Sequence, residues 1–464
     1  MDWLPICLTC CRSWQKHWSD RQGISLECGC SSGPCKAMSG LVSVERQSAA
    51  LIFLCLVATL LPGRLPAAGM ELRGRAQLGG IVNDNSSDNV FPSGFLSFDE
   101  GFNLNRIDLI AEKRIVTNVK PRIGPFPGSK PAQADWGFRT DLRYGTDAAI
   151  TYGVDDDLHI NRNQDRLWLL PQWYLQAYLP WGAGASIILG SWFTPLGNEI
   201  GAPVDPPTSF YTHSYAFVYQ PVKHVGAMGA VNLPVAPETG LWSLGLGLVQ
   251  GWNNLRDNND DKTLLFDLRW RSRDFKTWID LENIVGYEQS EQGVTGQTRP
   301  FNAVSTGGEE LIRSMHSLTF RHQLDERRHF VLNAVYGYQE GGDLVADANN
   351  PPGFLIVEDS RWYGLNLNYT HKIRNDSQLG FRAEWFKDES GAHALLPAGD
   401  YYGITANLSW WPYKQLRLRP EVRYDRYSGR GYPFGGSVPA IFFGEEKEQW
   451  LFSIDLTWFF DIPI

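Results

Sequence analysis

No cysteine lies beyond Cys55 in this chain of 464 residues. A disulfide-stapled fold is therefore excluded for everything downstream, and stability there must come from a core or from closure of a sheet. No apolar run reaches the roughly twenty residues of a membrane-spanning helix, and mean hydropathy is −0.28. A bundle of transmembrane helices is excluded as well. Positive charge is in deficit: 42 Lys and Arg stand against 51 Asp and Glu, a net charge of −9. That balance argues against a nucleic-acid partner.

Signatures of chemistry are missing too. H-E-x-x-H does not occur, and no G-x-S-x-G elbow occurs from residue 70 on. Nine histidines are present, among them His213, His224, His316, His322, His329, His371 and His393, and none pairs with a nucleophile at readable spacing. Cys7 and Cys10 have C-x-x-C spacing, but no second pair follows and Cys28, Cys30 and Cys35 lack it, so zinc is not expected. Asp257-x-Asn259-x-Asp261 resembles part of a calcium loop, yet Lys262 stands where the turn glycine belongs and Leu268 where the distal acid belongs. That segment and Asp155-Asp156-Asp157 read as solvated loops. Gly245 and Gly247 read as strand glycines, with no G-K-[ST] after them. The expectation is a protein without cofactor or metal, and not an enzyme.

Residues 46–69 are organised as an export signal. Arg46 precedes the run Ala49–Leu61, apolar apart from Thr59; Pro62-Gly63 ends it, and Ala67-Ala68-Gly69 offers small residues for cleavage. The run is too short for an easy membrane span. Met38 suits the start of such a signal, so residues 1–37 read as a misassigned start, 38–69 as a cleavable signal peptide and 70–464 as the mature protein. The residues before Cys55 do not suit lipidation. The leader holds six Lys and Arg and four Asp and Glu, leaving the mature part at −11.

After residue 70 the dominant period is two. Leu379, Phe381, Ala383 and Trp385 alternate with Arg382 and Glu384. Leu416, Leu418, Pro420, Val422 and Tyr424 alternate with Arg417, Arg419, Glu421, Arg423 and Asp425. Trp136, Phe138, Leu142 and Tyr144 alternate with Arg139, Asp141 and Arg143; Leu264, Phe266, Leu268 and Trp270 alternate with Asp267, Arg269 and Arg271. Tyr363–Tyr369 and Tyr402–Trp410 repeat the pattern with Asn and Thr on the polar face. Side chains along a strand point to opposite faces, so each segment has one apolar and one polar face.

A soluble sandwich would bury the apolar face against a second sheet; an outer-membrane barrel turns it to lipid. Segments of about ten residues match a tilted membrane strand rather than the usual soluble one. Aromatics at the ends of the apolar faces match interfacial girdles, and several polar faces carry more than one charge, which suits a wet lumen. The reading is an all-β, up-and-down antiparallel transmembrane barrel of about 16 strands, with 14 to 18 tolerable. Short connections fall at Arg271–Asp274, Arg374–Ser377 and Trp411–Lys414. Long polar ones fall at 120–132, 194–210, 253–262, 288–310, 341–358, 388–399 and 428–446. Tight periplasmic turns and large external loops are expected.

The final strand, with Phe452, Ile454, Leu456, Trp458 and Phe460 on one face, looks like the C-terminal signal read by outer-membrane barrel-assembly machinery, although Asp461–Ile464 follow it. Other segments resemble a specific family. Leu189–Glu199 runs from a strand into a Thr-Pro-x-Gly-x-Glu loop; Phe210-Tyr211-Thr212-His213-Ser214-Tyr215-Ala216-Phe217 and Lys223-His224-Val225-Gly226 follow; Leu418–Asp425 looks like a penultimate strand. These are similar to the OmpL-like β-barrel porins of type 2, over roughly residues 90–460. The resemblance implies an outer-membrane porin with no established substrate.

Function is then expected in the lumen. Arg139, Asp141, Arg143, Asp267, Arg269, Arg271, Arg382, Glu384, Arg417, Arg419, Glu421 and Arg423 are the candidate pore-lining residues. Loop 194–210, with Glu199, Asp205 and four prolines, is a candidate constriction or an ordinary external loop. Charged inner faces argue for a passive aqueous channel for small hydrophilic solutes or ions rather than a hydrocarbon conduit. Expected partners are outer-membrane lipids, such solutes and the assembly machinery, with a homo-oligomer as one option. Alternatives are an exported soluble β-rich binding protein, a closed-barrel adhesin and an outer-membrane enzyme.

Overall fold

A computed structural model describes residues 69–85, 101–151, 167–199, 209–288 apart from 256 and 258, 311–346, 354–390, 397–436 and 444–462. Strands β1 (Met70–Asn83) and β2 (Gly101–Lys113) are followed by a small hairpin, β3 (Val119–Lys120) and β4 (Gly124–Pro125). Next come β5 (Asp135–Gly145), the short helix α1 (Thr146–Thr151), β6 (Leu167–Leu179) and β7 (Ala185–Phe193). One helical turn, α2 (Tyr215–Val218), precedes β8 (Lys223–Asn232), β9 (Leu241–Val249), β10 (Thr263–Arg271), β11 (Thr277–Tyr287) and β12 (Ile312–Gln323). The chain ends with β13 (Arg328–Ala346), β14 (Phe354–Arg374), β15 (Ser377–Asp388), β16 (Gly399–Tyr413), β17 (Leu416–Gly429) and β18 (Glu448–Ile462).

Apart from the β3–β4 hairpin, the strands form one closed antiparallel barrel of 16, each next to its neighbour in sequence, with β1 pairing β18 to close it. The closing register runs from Leu72 opposite Ile462 to Asn83 opposite Leu451. Closure removes sheet edges, so ladder bonds satisfy the backbone without water, which a bilayer does not supply.

Alternation decides which side chains meet lipid. Ile404, Leu246, Leu248, Phe452 and Trp458 face outward and are exposed, while Thr405, Gly245, Gly247, Ser453 and Thr457 between or beside them are covered. Aromatic pairs mark both ends of the outer surface. Trp242 and Trp270 lie 6.4 Å apart and Trp458 and Phe460 4.9 Å apart at one end; Tyr144–Trp168 (4.9 Å), Tyr336–Tyr363 (5.4 Å) and Tyr424–Trp450 (4.8 Å) lie at the other. Their amphipathic rings suit the two membrane–water boundaries.

Connections segregate by length. One end carries the turns 180–184, 272–276, 324–327, 375–376 and 414–415; the other carries 84–100, 146–166, 194–222, 250–262, 288–311 and 430–447. Three boundaries expected from sequence move. Trp411-Pro412-Tyr413 belong to β16, so that turn is only 414–415. The expected loop 341–358 is largely strand, because β13 runs to Ala346 and β14 starts at Phe354. The expected external loop 120–132 lies on the turn end instead: it leaves β2 and enters β5 there, and it carries β3 and β4 into the lumen. Charge and length made it look external; its backbone is satisfied by inward-facing side chains.

Candidate functional site

Two connections fill space inside the barrel, one from each end. From the turn end, the β3–β4 hairpin lies against β6–β10. Ser186 Oγ donates to the Val119 carbonyl at 2.7 Å, Asn118 Nδ2 to the Ala183 carbonyl at 2.9 Å and Asn232 Nδ2 to the Asn118 carbonyl at 3.0 Å. At its tip, Arg122 donates to Gln172 Oε1 at 2.9 Å, and Arg271 donates to the Ile123 carbonyl at 2.5 Å. Burial lowers the Arg122 guanidinium to about 10.

From the other end, two described parts of the connection 194–222, residues 194–199 and 209–222, lie inside the barrel and meet strand carboxylates. The Gly197 N–H donates to Glu282 at 3.0 Å. Glu421 accepts from the Tyr211 N–H at 2.7 Å, the Thr212 N–H at 2.8 Å and the Thr212 hydroxyl at 2.5 Å. Glu384 accepts from the Tyr215 N–H at 2.7 Å, Asp425 from the Tyr215 hydroxyl at 2.9 Å and Asp388 from the Tyr219 hydroxyl at 2.7 Å. The segment reaches far down: Ser209 meets Gln378, the second residue of β15 at the turn end, at 3.3 Å. Two inner-face glycines leave room for it. A Cβ at Gly79 would collide with the Tyr211 hydroxyl, and one at Gly364 would lie 3.2 Å from Ala216 and 2.7 Å from Val335.

Within the segment, Glu199 ties its two limbs together. His213 Nδ1 lies 2.6 Å from Glu199 Oε2, the Ser214 N–H donates to Oε1 at 3.0 Å, and Arg382 is 3.7 Å away. The His213 ring stacks on Phe217 at 4.1 Å. Burial would raise the Glu199 carboxyl, but the His213 bond, the charges of His213 and Arg382 and the Ser214 bond outweigh it and hold it at about 2. In α1, burial raises Asp147 against the pull of Arg106, its ion-pair partner.

The expected candidates separate into three groups. Arg382, Glu384, Glu421 and Arg423 come together around Glu199 and the inward segment. Arg382 donates to the Thr212 carbonyl at 2.8 Å and lies over Phe210 at 4.9 Å; Arg423 donates to the His213 carbonyl at 2.5 Å and meets Glu384 at 3.0 Å. Arg139, Asp141, Arg143, Arg417 and Arg419 form ladders on the wall of β17, β18, β1, β2 and β5. Arg139 meets Asp141 at 2.7 Å, Arg143 meets Asp108 at 2.8 Å, and Arg419 meets Asp455 at 2.6 Å. Across the barrel, Arg269 meets Asp267 at 3.0 Å and Glu282 at 2.9 Å, while Arg271 pairs with Asp280 beside the hairpin. Asp205 lies outside the described residues.

One expectation is corrected. The inner face is not polar throughout: Trp192, Leu196, Tyr215, Tyr219, Met228, Leu265, Trp362, Phe386 and Tyr401 form a buried apolar cluster inside the barrel, built from strand residues and the inward segment. Enclosing a segment with its own aromatic side chains creates a core where water would otherwise stand.

The family model described as beta-barrel porin-2, OmpL-like, matches residues 69–460. The chain belongs to that family. As an OmpL-like porin-2 protein with a closed barrel, it is an outer-membrane protein and a passive porin channel. No curated protein matches it by sequence. Among solved structures, Salmonella typhi OmpF in complex with daunomycin is similar in fold, with TM-score 0.50 and 10% identity over 84% of this chain and 97% of that one. The channel DcaP of Acinetobacter baumannii gives 0.49 and 11% over 86% and 100%, and OprB of Pseudomonas putida 0.47 and 10% over 93% and 100%.

The inward segment's anchors were not singled out from sequence. Tyr211, Thr212 and Tyr215 stood only within a family motif, His213 there and among the histidines without a nucleophile partner, and Arg73 and Arg75 alternate with Leu72 and Gly74 in β1. Aromatic doublets offered a signal for the lumen cluster: in Trp362-Tyr363, Trp385-Phe386 and Tyr401-Tyr402, one ring faces lipid and the other must face inward.

Proposed function

We propose that this porin passes small hydrophilic solutes or ions by diffusion, with residues 194–199 and 209–222 narrowing the bore and the β3–β4 hairpin narrowing it again from the turn side. The observation that carries this reading is the anchoring of Gly197, Tyr211, Thr212 and Tyr215 by carboxylates from β11, β15 and β17. A loop held at that many points keeps a fixed cross-section, which is what selects solutes by size and charge. The ladder arginines and aspartates line the remaining path. The barrel does no bond-making chemistry. Export uses the 38–69 signal, insertion uses the assembly machinery through β18, and the turn end faces the periplasm. Assembly as a homo-oligomer belongs to the same reading; OmpT of Vibrio cholerae has been solved in a trimer form.

Fractionation should place the mature protein in the outer membrane with heat-modifiable gel mobility; recovery in the soluble periplasm would sink the reading. Purified protein in planar bilayers should give stepwise ohmic conductance. The apolar lumen cluster favours one alternative, a permanently closed barrel. Silent bilayers from folded protein would select it.

A further inference from the structure

The two rims of the barrel treat their exposed cations differently. At the long-loop end Arg361 meets Asp359 at 3.4 Å and Glu389 at 3.9 Å, and Arg426 meets Glu448 at 3.6 Å. At the turn end Arg328 meets Asp325 at 2.6 Å and Arg374 meets Asp376 at 3.3 Å. Lys276, Arg327 and Lys372 are exposed beside them, with no carboxylate of the described residues at ion-pair distance. Turns 272–276, 324–328 and 372–376 together hold six Lys and Arg against four Asp and Glu, a local positive surplus in a chain of net charge −9. The surplus belongs to one sector of the rim, since turn 180–184 carries no charge and 233–240 carries only Glu238.

Backbone bonds bring these turns together. The Gln323 N–H donates to the Lys276 carbonyl at 2.9 Å, and the Lys372 N–H donates to the Arg327 carbonyl at 2.8 Å. Arg328 stands opposite His371 in the β13–β14 register. Alternation then sets what lies on the outer wall just inside the rim. His322 continues the face of Leu318 and Phe320, Arg328 that of Phe330 and Leu332, and His371 that of Leu367 and Tyr369. Leu318, Leu332 and Leu367 on those faces are exposed to lipid. The rings of Phe320, Phe330 and His322 cluster there, with centroids 5.6 to 6.3 Å apart. Thr277 Oγ lies 2.8 Å from His322 Nδ1, so Nε2 is the ring nitrogen left for a further partner. The wall therefore passes from aliphatic side chains through aromatic rings to cations within a few residues.

We propose that this sector of the outer wall, at the turn ends of β11 to β14, docks an anionic phospholipid, with its phosphate among Lys276, Arg327 and Lys372 and its chains along Phe320 and Phe330. Apolar area and positive charge at adjacent levels complement a lipid, because a soluble anion would use the charge alone. Long Lys and Arg side chains at a membrane edge lay their stems on apolar surface and hold their heads at the phosphate level. The docking site rests on the lipid-facing wall of the barrel; its assignment to the inner leaflet rests on the orientation proposed above, with the turn end in the periplasm.

Lipid retention tests the site. Purified mature protein in detergent, given equal amounts of phosphatidylglycerol and phosphatidylcholine with the same chains and then washed, should retain the phosphatidylglycerol in excess by at least about tenfold. The net charge of the protein is negative, so it would act against such a preference. Arg327→Gln combined with Lys372→Gln should lower the ratio at least about fivefold with the heat-modifiable gel mobility unchanged, and Arg327→Lys should keep it. Equal retention of the two lipids by the wild type overturns the site, as does a ratio that the double substitution leaves unaltered. Millimolar inorganic phosphate that removes the preference at constant ionic strength would assign the cations to free phosphate and overturns it too. Silent bilayers with the lipid preference intact overturn the channel and leave the site.

Discussion

The two sides of the lumen use charge in opposite ways. Where β14–β17 face the inward segment, Glu199, Glu384, Glu421 and Asp425 outnumber Arg382 and Arg423, and the surplus carboxylates take backbone N–H and tyrosine hydroxyl groups from the segment. On the wall of β17, β18, β1, β2 and β5 the charges meet one another instead: Arg75 and Arg143 share Asp108, Arg417 and Arg419 share Asp455, and Arg73 meets Glu112. A carboxylate can be satisfied by neutral donors on a folded loop. A guanidinium needs acceptors, and on this wall the strand carboxylates supply them. One side therefore holds a piece of the protein in place, and the other ties neighbouring strands together.

The largest effect should come from removing an anchor. Glu421→Ala deprives the Tyr211 N–H, the Thr212 N–H and the Thr212 hydroxyl of their acceptor. Buried donors left unmade cost about 1–3 kcal/mol each, so the segment should loosen. Unitary conductance should rise at least about twofold, with more noise, if the segment sets the bore. Lowered thermal stability with unchanged conductance would show that the segment is packing and not the constriction.

The barrel was legible because lipid outside and a charged interior impose period two on every strand. Leu416–Asp425 and Tyr402–Trp410 carry that period in full. The contents of the lumen were not. Segment 194–222 has no period of its own; its partners lie on β2, β11, β15, β16 and β17, distant in sequence and brought together only by closure. The hairpin near Arg122 was misplaced for the same reason, since Ser186, Asn232 and Arg271 satisfy it from strands far along the chain. The candidate charges alternate with lipid-facing residues, but sequence could not sort Arg423, which donates to the His213 carbonyl, from Arg417, which meets Asp455 on the far wall. Arg423→Glu consequently should disturb the segment rather than simply shift selectivity.

A weaker test of the anchoring side is acidification. Glu199 is held at about 2, below the ordinary 4.5, so its contribution is fully present above about pH 4.5 and is lost as pH falls toward 2. Protease sensitivity of the inward segment in folded protein should increase across that window. Glu199→Gln should show raised sensitivity at neutral pH and a smaller step on acidification. A profile identical to wild type would mean that His213 and Ser214 hold the limbs without the carboxylate.

The turn-side hairpin should matter less, because its anchors are mostly backbone carbonyls that water can also satisfy. Arg271→Ala removes the bond to the Ile123 carbonyl together with the Asp280 pair. A cysteine placed at Ile123 should then label faster from the periplasmic side, with at most a modest change in conductance. Equal labelling in both backgrounds would assign the hairpin's position to Ser186, Asn118 and Asn232 instead.

The smallest expected effect tests whether the anchoring side is one cooperative unit. Tyr219→Phe deletes a single hydroxyl that donates to Asp388 at 2.7 Å, and it leaves the ring packed on Phe386 at 4.3 Å. Asp388 retains the Ser390 N–H at 3.1 Å, so the carboxylate is not stripped of donors. The loss should stay near the ordinary hydrogen-bond value of about 1 kcal/mol, visible as a small drop in the gel-shift temperature. In a double cycle with Glu421→Ala, independent anchors would add, whereas one rigid segment would make the second loss smaller than the first. Tyr219 and the Tyr211–Thr212 pair sit on opposite sides of α2 in the chain. Coupling between them therefore would mean that the whole stretch detaches together, and additivity would mean that its two limbs move apart.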